Sequence, residues 1–455
     1  MTDPLRYLAL SGSLGCGFEE RSLERGVDAG LAFIACDSGS TDGGPYYLGS
    51  DAWIWADSAY ERDLRLGLAG ARRAGVPLIV GSCGGGGGDR AVAGYLEMVD
   101  RLAAELGWSP TVACVFCEPD REVLAAKYDG GRLVELPGAP AIDRGTFSAD
   151  GHIVAMAGAE QVQWALDTGA DVVLMGRVAD AALYAAIPLA AGHDPALVWN
   201  AAKIMECGAA AALNRRGQDS LLCTLDADGF VLEAPDPDLV CTPASVAAHT
   251  LYEVSDPYRL VMPSGVLDSR EARYEALDDR RVRVTGGRWT PSEQYTVKLE
   301  GSAPLGFLSS FWGSISDPLL LGQLDAWCAS VEDRLRVRLG EVGAGSFEVA
   351  VRTYGAGATT AQHGAVPREA VLVVDVVGQT QDAASAMARA AYHVALHWPI
   401  QGWSGGSVTS FAHPYSAPVV DRGPVYRFTL NHAAVLGDDE ITGLFRLETH
   451  RVGAA

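Results

Sequence analysis

PLIVGSCGGGGGDRAVAGYLEMVDRLAAEL (77–106) carries the pattern that decides the fold. Residues 77–80 form a short apolar run between Pro and Gly, the mark of a buried strand. From 90 to 106, Val92, Tyr95, Leu96, Val99, Leu102 and Leu106 recur three and four residues apart, which predicts an amphipathic helix. A loop with five consecutive Gly joins the two.

The same order of strand, loop and helix repeats on both sides. Upstream, RYLAL (6–10) runs into SGSLGCG (11–17) and a helix-like stretch over 18–29. LAFIA (31–35) ends in CDSGSTDGGP, and 58–74 reads as a helix with Leu64, Leu68 and Ala71 on one side. Downstream, 111–116 is strand-like and leads into CEPDREVLAAK, a helix start. DVVLM (171–175) ends in GRVADAAL. Strands alternating with helices imply crossover units, hence an α/β fold with a mostly parallel sheet. In such a sheet, ligands bind beyond the carboxyl ends of the strands. The unusual loops all follow strands, so all are expected to open on one edge.

From about 291 the pattern changes. A strand at 295–299, a helix at 319–335, strands at 346–353 and 370–377, a helix at 383–397 and a strand at 425–431 give the order β-α-β-β-α-β. That order predicts a smaller ferredoxin-like α+β domain. The expected division is an α/β main domain over 1–290 and the ferredoxin-like domain over 291–455. The middle, 197–289, reads as a helix around Lys203 and strand-like pieces that continue the first domain, plus a linker.

The net charge is −22, which argues against nucleic acid as a partner. Residues 1–6 show no basic run leading into an apolar segment, and no apolar stretch approaches the roughly 18 residues of a membrane span. No membrane association is expected. Nine Cys, an odd number and scattered, suit reduced thiols in the cytoplasm.

Five loops carry the candidate chemistry. In 11–17, Ser11 and Ser13 lie among glycines that let a ligand approach backbone N–H groups at a helix start; a plain tight turn is the alternative. In 36–44, Asp37, Ser38, Ser40, Thr41 and Asp42 supply more carboxylates and hydroxyls than capping the next helix requires. In 81–89, Ser82, Gly84, Gly85 and Asp89 suggest a backbone cradle for an anion. The GK[ST] ending of a nucleotide-binding loop is missing. Arg177 suits two-point binding of a carboxylate, with Asp180 one turn on to orient it; a structural ion pair is the alternative. Lys203 and Glu206, three apart on one helix, read as an acid/base pair if partly buried and as a surface ion pair otherwise. Lys298 and Glu300 share one face of a strand. No pattern specifies a metal or a cofactor.

Taken together, CDSGSTDGGPYYLG (36–49), PLIVGSCGGGGGD (77–89), DVVLMGRVADAALYAAIPL (171–189), WNAAKIMECGAA (199–210) and GPVYRFTLNH (423–432) resemble the acyclic terpene utilisation AtuA family. The resemblance implies an α/β main domain followed by a smaller ferredoxin-like part, and a pathway that degrades branched unsaturated acids as coenzyme A thioesters. It assigns no catalytic residues. The loops themselves suggest an enzyme acting on a small carboxylate or acyl thioester, by lyase or hydratase chemistry. Asp37, Asp42 or Glu206 is then the base, Lys203 the acid or electrostatic partner, and Arg177 the anion holder. The alternative is a non-catalytic ligand-binding or assembly subunit. A homo-oligomer is expected.

Overall fold

The computed structural model describes residues 4–252, 256–342, 345–356, 368–405, 409–413, 416–437 and 440–453. The chain forms two compact units. One holds Met1–Ala303 and Phe428–Ala455, the other Pro304–Arg427.

The first unit opens with β1 (Leu5–Ala9), α1 (Glu20–Asp28), β2 (Phe33–Asp37), α2 (Tyr46–Ser50), α3 (Asp57–Ala74), β3 (Leu78–Gly81) and α4 (Asp89–Glu105). It continues through β4 (Thr111–Phe116), α5 (Arg121–Asp129), β5 (Leu133–Glu135), β6 (His152–Ala155), α6 (Ala159–Leu166), β7 (Val172–Met175), α7 (Ala182–Ala190) and α8 (Pro195–Met205). Next come β8 (Ala212–Leu213), β9 (Leu221–Leu225), β10 (Phe230–Glu233), β11 (Val240–Cys241) and α9 (Pro243–Thr250). Five strands follow: β12 (Arg259–Met262), β13 (Gly265–Asp268), β14 (Arg273–Ala276), β15 (Val282–Thr285) and β16 (Arg288–Pro291).

β1, β2, β3, β7 and β4 lie side by side in that order, all parallel. The alternation of side chains along these strands separates two cores. Leu8, Ile34, Leu78, Val80, Val172 and Leu174 pack beneath α3 and α4, where Tyr60, Leu64, Leu68, Tyr95, Val99 and Leu102 are buried. Tyr7, Phe33, Ile79, Val173 and Met175 face the other way, onto α6, α7 and α8. Every one of these strands is covered on both faces, which is why each reads as a continuous apolar run.

The segment 197–289 does more than continue toward a linker. β9 adds antiparallel to β1, and β10, β15 and β14 extend the sheet to one edge. β12, β13 and β16 form a small sheet of their own. The result is an open, mixed sheet of ten strands with β14 and β21 (Arg446–Arg451) at its edges.

β17 (Tyr295–Ile315) is far longer than the five alternating residues that announce it, and both it and β20 (Val419–Leu436) contribute to each unit. Within the first unit, β17 pairs with β6, placing Glu300 opposite Val154. The second unit adds α10 (Pro318–Leu321), α11 (Leu324–Val342), β18 (Glu348–Tyr354), β19 (Ala370–Gly378) and α12 (Gln381–Leu396). Its strands lie in the order β18, β19, β17, β20, with β19 antiparallel to both neighbours. Its own core joins Phe311, Trp327, Leu335, Leu372, Val374 and Ala391. No helix among the described residues is long and apolar enough to cross a membrane.

Candidate functional site

The loops after β1 and β2 lead into a cleft of about 470 Å³. Gly12 and Ser13 follow β1. Asp37 ends β2, and Ser40 and Asp42 follow it. Asp180 comes from the turn after β7, and Glu206 and Cys207 from the end of α8. Close backbone packing brings these distant segments together. A Cβ on Gly12 would sit 3.0 Å from the carbonyl oxygen of Cys207, and one on Gly208 2.8 Å from the carbonyl carbon of Ser11.

Asp37 is 2 % exposed, and its Oδ2 accepts the N–H of Gly39 at 2.8 Å. Its Oδ1 has no hydrogen-bond partner of regular geometry. Burial pushes this carboxyl well above the usual range, and neighbouring Asp180 pushes it further. The Gly39 N–H, Arg177 and Ser82 pull the other way without prevailing. Asp37 is therefore a group that favours carrying a proton, more suited to an acid than to a base.

Arg177 and Glu300 explain each other. Arg177 is 4 % exposed and donates from Nε to Glu300 Oε2 at 2.9 Å, and from Nη1 to Ser82 Oγ at 3.2 Å and the Val178 carbonyl at 3.3 Å. Glu300 Oε1 accepts from Lys298 Nζ at 2.7 Å and Thr41 Oγ1 at 2.8 Å. Burial opposes the Glu300 charge, but Arg177 and Lys298 outweigh it and hold the carboxyl at about 2. Arg177, Ser82 and Thr41 are thus committed to a buried network behind the cleft, with Asp180 3.8 Å from Arg177 on the cleft side.

Lys203 and Glu206 form an ion pair with both partners buried. Burial works against the Lys203 charge, yet Glu206 outweighs it and holds the ammonium above its ordinary range. Glu206 reaches the cleft and Lys203 lies beneath it.

Most of the other loop residues bond or pack within the chain itself. The N–H groups of Gly15 and Gly17 donate to Asp63 Oδ2 at 2.8 and 3.0 Å, so the 11–17 loop folds around a carboxylate of the chain itself. Ser11 is buried and donates to the Ser13 carbonyl at 2.8 Å. Ser38, Gly84 and Gly85 are buried too, and Ser38 Oγ has no hydrogen-bond partner of regular geometry. The Gly84 carbonyl accepts the N–H of Ile54 at 3.1 Å, so the glycine run backs the cleft wall from behind. Asp89 Oδ1 accepts the N–H groups of Cys117 and Glu118, each at 3.0 Å, tying the loops after β3 and β4 together.

The fold adds cleft residues that no sequence signal marks. His249, in the last turn of α9, is 7 % exposed and stacks on Tyr252 with ring centroids 5.5 Å apart. Its Nε2 has no hydrogen-bond partner. Burial, then Lys203 and Arg215, lowers its imidazolium to about 4, so the ring is neutral at neutral pH. Arg215 and Gln218 come from the loop before β9; Ile54 and Trp55 follow α2. No ion pair to Arg215 occurs among the described residues. Nor, among those residues, do three His, Cys, Asp or Glu side chains converge in a way that suits a metal ion.

The model of the acyclic terpene utilisation family protein AtuA matches residues 58–213 and 222–426. The chain belongs to the AtuA family. No curated protein and no solved structure matches it. Within this AtuA-family chain, Asp180, Lys203, Glu206, His249 and Glu300 fall inside the matched residues, while Asp37 and Arg215 fall outside them.

Proposed function

We propose that the cleft is the active site of a lyase or hydratase acting on a small carboxylate or acyl thioester. One observation carries this reading: two buried groups with opposite proton preferences, Asp37 and His249, line the same cleft, each with an unfilled hydrogen-bonding position. For a hydroxy acid, His249 Nε2 takes the proton from the carbon next to the carboxyl group. The C–H electron pair forms the new C=C bond. The C–O bond breaks, and the departing hydroxyl takes the Asp37 proton and leaves as water. Hydration is the reverse. Arg215 holds the carboxyl or thioester end and stabilises the charge that gathers there as the C–H bond breaks. Glu206 and Lys203 act as an electrostatic pair, and Asp42, Asp180, Ser13 and Ser40 supply hydrogen bonds to the substrate's polar groups. The family's name supports a place in the utilisation of acyclic terpenes. The free thiols suit the cytoplasm.

The Pro304–Arg427 unit favours a second role beside the first. Its strand order and the helices α11 and α12 support a ferredoxin-like module. Its outward sheet face shows Trp312, Tyr354 and Val371, apolar residues suited to assembly with a further copy.

The test is incubation of the purified protein with hydroxy acids, enoic acids and their thioesters, followed by mass spectrometry for gain or loss of one water. Conversion is expected, and Asp37→Asn and His249→Gln should each lower it at least about 100-fold. A wild-type protein that leaves every compound unchanged removes the enzymatic reading; binding without conversion turns the cleft into a ligand-sensing or assembly site.

A further inference from the structure

The charges of the cleft are unevenly placed, and that asymmetry constrains the ligand. Asp37, Asp42, Asp180 and Glu206 all line it. Of these four acidic groups Asp37 favours its proton and Glu206 is paired with Lys203; Arg215 is the one Arg or Lys among the described lining residues. Three further cations near it are held by carboxylates of the chain. Arg177 and Lys298 are held by Glu300, and Lys203 is held by Glu206. Arg215 lies beside His249, close enough to depress its protonation, so the cationic corner and the unfilled Nε2 face one region. Asp37, with its unfilled Oδ1, lies near enough to Asp180 for that carboxylate to favour its protonated form, and the two mark the acidic part.

We propose that the cleft takes a small hydroxy acid as the free carboxylate, with the acid group on Arg215 and the hydroxyl toward Asp37 and Asp180, and does not take its coenzyme A thioester. This rests on reading the cleft as the substrate site. A monoanion satisfies the single cation, its hydroxyl can pair with Asp37 and Asp180, and the Asp42 and Asp180 carboxylates would repel a second negative charge. A coenzyme A ester has lost the carboxylate that Arg215 would grip. It also brings a pyrophosphate and a further phosphate, which need several Arg or Lys side chains or a set of open backbone N–H groups. The loops best suited by sequence to offer such N–H groups do not offer them. Those of Gly15 and Gly17 are held by Asp63, and the 84–88 glycines are buried, with Trp53, Ile54, Leu48 and Arg177 packed on the first four of them. A volume of about 470 Å³ suits a small molecule held whole.

Isothermal titration calorimetry with the straight-chain 3-hydroxy acids from butyrate to octanoate, and with their coenzyme A thioesters, tests this. The full chain, Arg215→Ala and the neighbouring Arg216→Ala are compared. Expected are saturable binding of at least one free acid, a loss of at least about tenfold in Arg215→Ala, no change in Arg216→Ala, and no displacement of the acid by its thioester. Absence of binding by every acid, unchanged binding in Arg215→Ala, or a thioester that binds more tightly than its acid each overturns the proposal. Conversion of thioesters without binding of acids ends this proposal and leaves the enzymatic reading standing. Acid binding at Arg215 with no conversion of any compound does the reverse.

Discussion

His249 owes its neutrality to three things: burial, Lys203 beneath it and Arg215 beside it. The consequence for stability has a definite sign. In the unfolded chain an imidazole protonates near pH 6.5, whereas in the folded protein it resists until about pH 4. As pH falls between those values, the unfolded state binds the proton first, and the native state loses on the order of 3 kcal/mol. His249→Phe keeps the aromatic stack on Tyr252 and removes the titration. Denaturant unfolding at stepped pH should therefore show a flatter profile for the variant between pH 6.5 and 4. A slope equal to that of the wild type would mean that His249 is not buried as a neutral ring. Asp37 acts with the opposite sign: its raised pKa means that folding is opposed as pH rises through the unfolded carboxylate's range. Asp37→Asn removes that penalty, so its expected loss of activity should come with a melting temperature at pH 7 no lower than the wild type's. At this scale, Asp37, Asp42, Asp180 and Glu206 were legible because each sits in a polar loop or helix end next to an apolar run. Arg215 and His249 were not. One is an Arg among many in an irregular loop and the other a His in a short helix, and only the fold brings them to the cleft.

The glycine loop between β3 and α4 shows how an element differs from its sequence signature. Five glycines in a row suggest an exposed cradle, but here they are buried because other chain segments press on them. A Cβ on Gly87 would lie 2.4 Å from the backbone nitrogen of Arg177, one on Gly86 2.9 Å from the Leu48 Cα, and one on Gly85 2.5 Å from the Ile54 side chain. Gly75, at the end of α3, has almost the same left-handed φ as Gly87 (+67° against +69°) but nothing within 4 Å. Comparing Ala at the two positions separates conformation from crowding. Gly75→Ala should lose about 1 kcal/mol from the backbone alone. Gly87→Ala should lose that and about 1–3 kcal/mol more, because the loop must part from Arg177. Chemical denaturation of both variants measures the difference, and equal losses would refute close packing as the reason for glycine at 87. The strand-to-helix order around this loop was readable from periodicity. Its burial was not, because the neighbours that press on it lie in the 46–54 and 176–177 segments.

At the scale of the whole molecule, one edge of the ten-stranded sheet is made by a strand from far along the chain. β21 pairs antiparallel with β4 from Arg446 opposite Phe116 to Arg451 opposite Thr111, and Arg446 lies over the Phe116 ring at 3.8 Å. Removing residues 446–455 would leave β4, a buried strand of the parallel set, with an open row of N–H and C=O groups. Such a truncation is expected to accumulate as aggregate, with size-exclusion chromatography showing little or no monodisperse protein. A soluble, cooperatively unfolding product would show that β21 is dispensable. The sequence by itself determined the alternation of strands and helices, the parallel core and the common edge on which the strand-end loops open, because two- and three-to-four-residue periodicities are properties of neighbouring residues. Only the tertiary structure decided which polar groups are already bonded within the chain. Asp63 takes the glycine N–H groups at 15 and 17, and Glu300 takes Arg177 across 123 positions of chain. A donor or acceptor has few bonds to make, and whether it is already spoken for depends on partners that arrive from far along the chain.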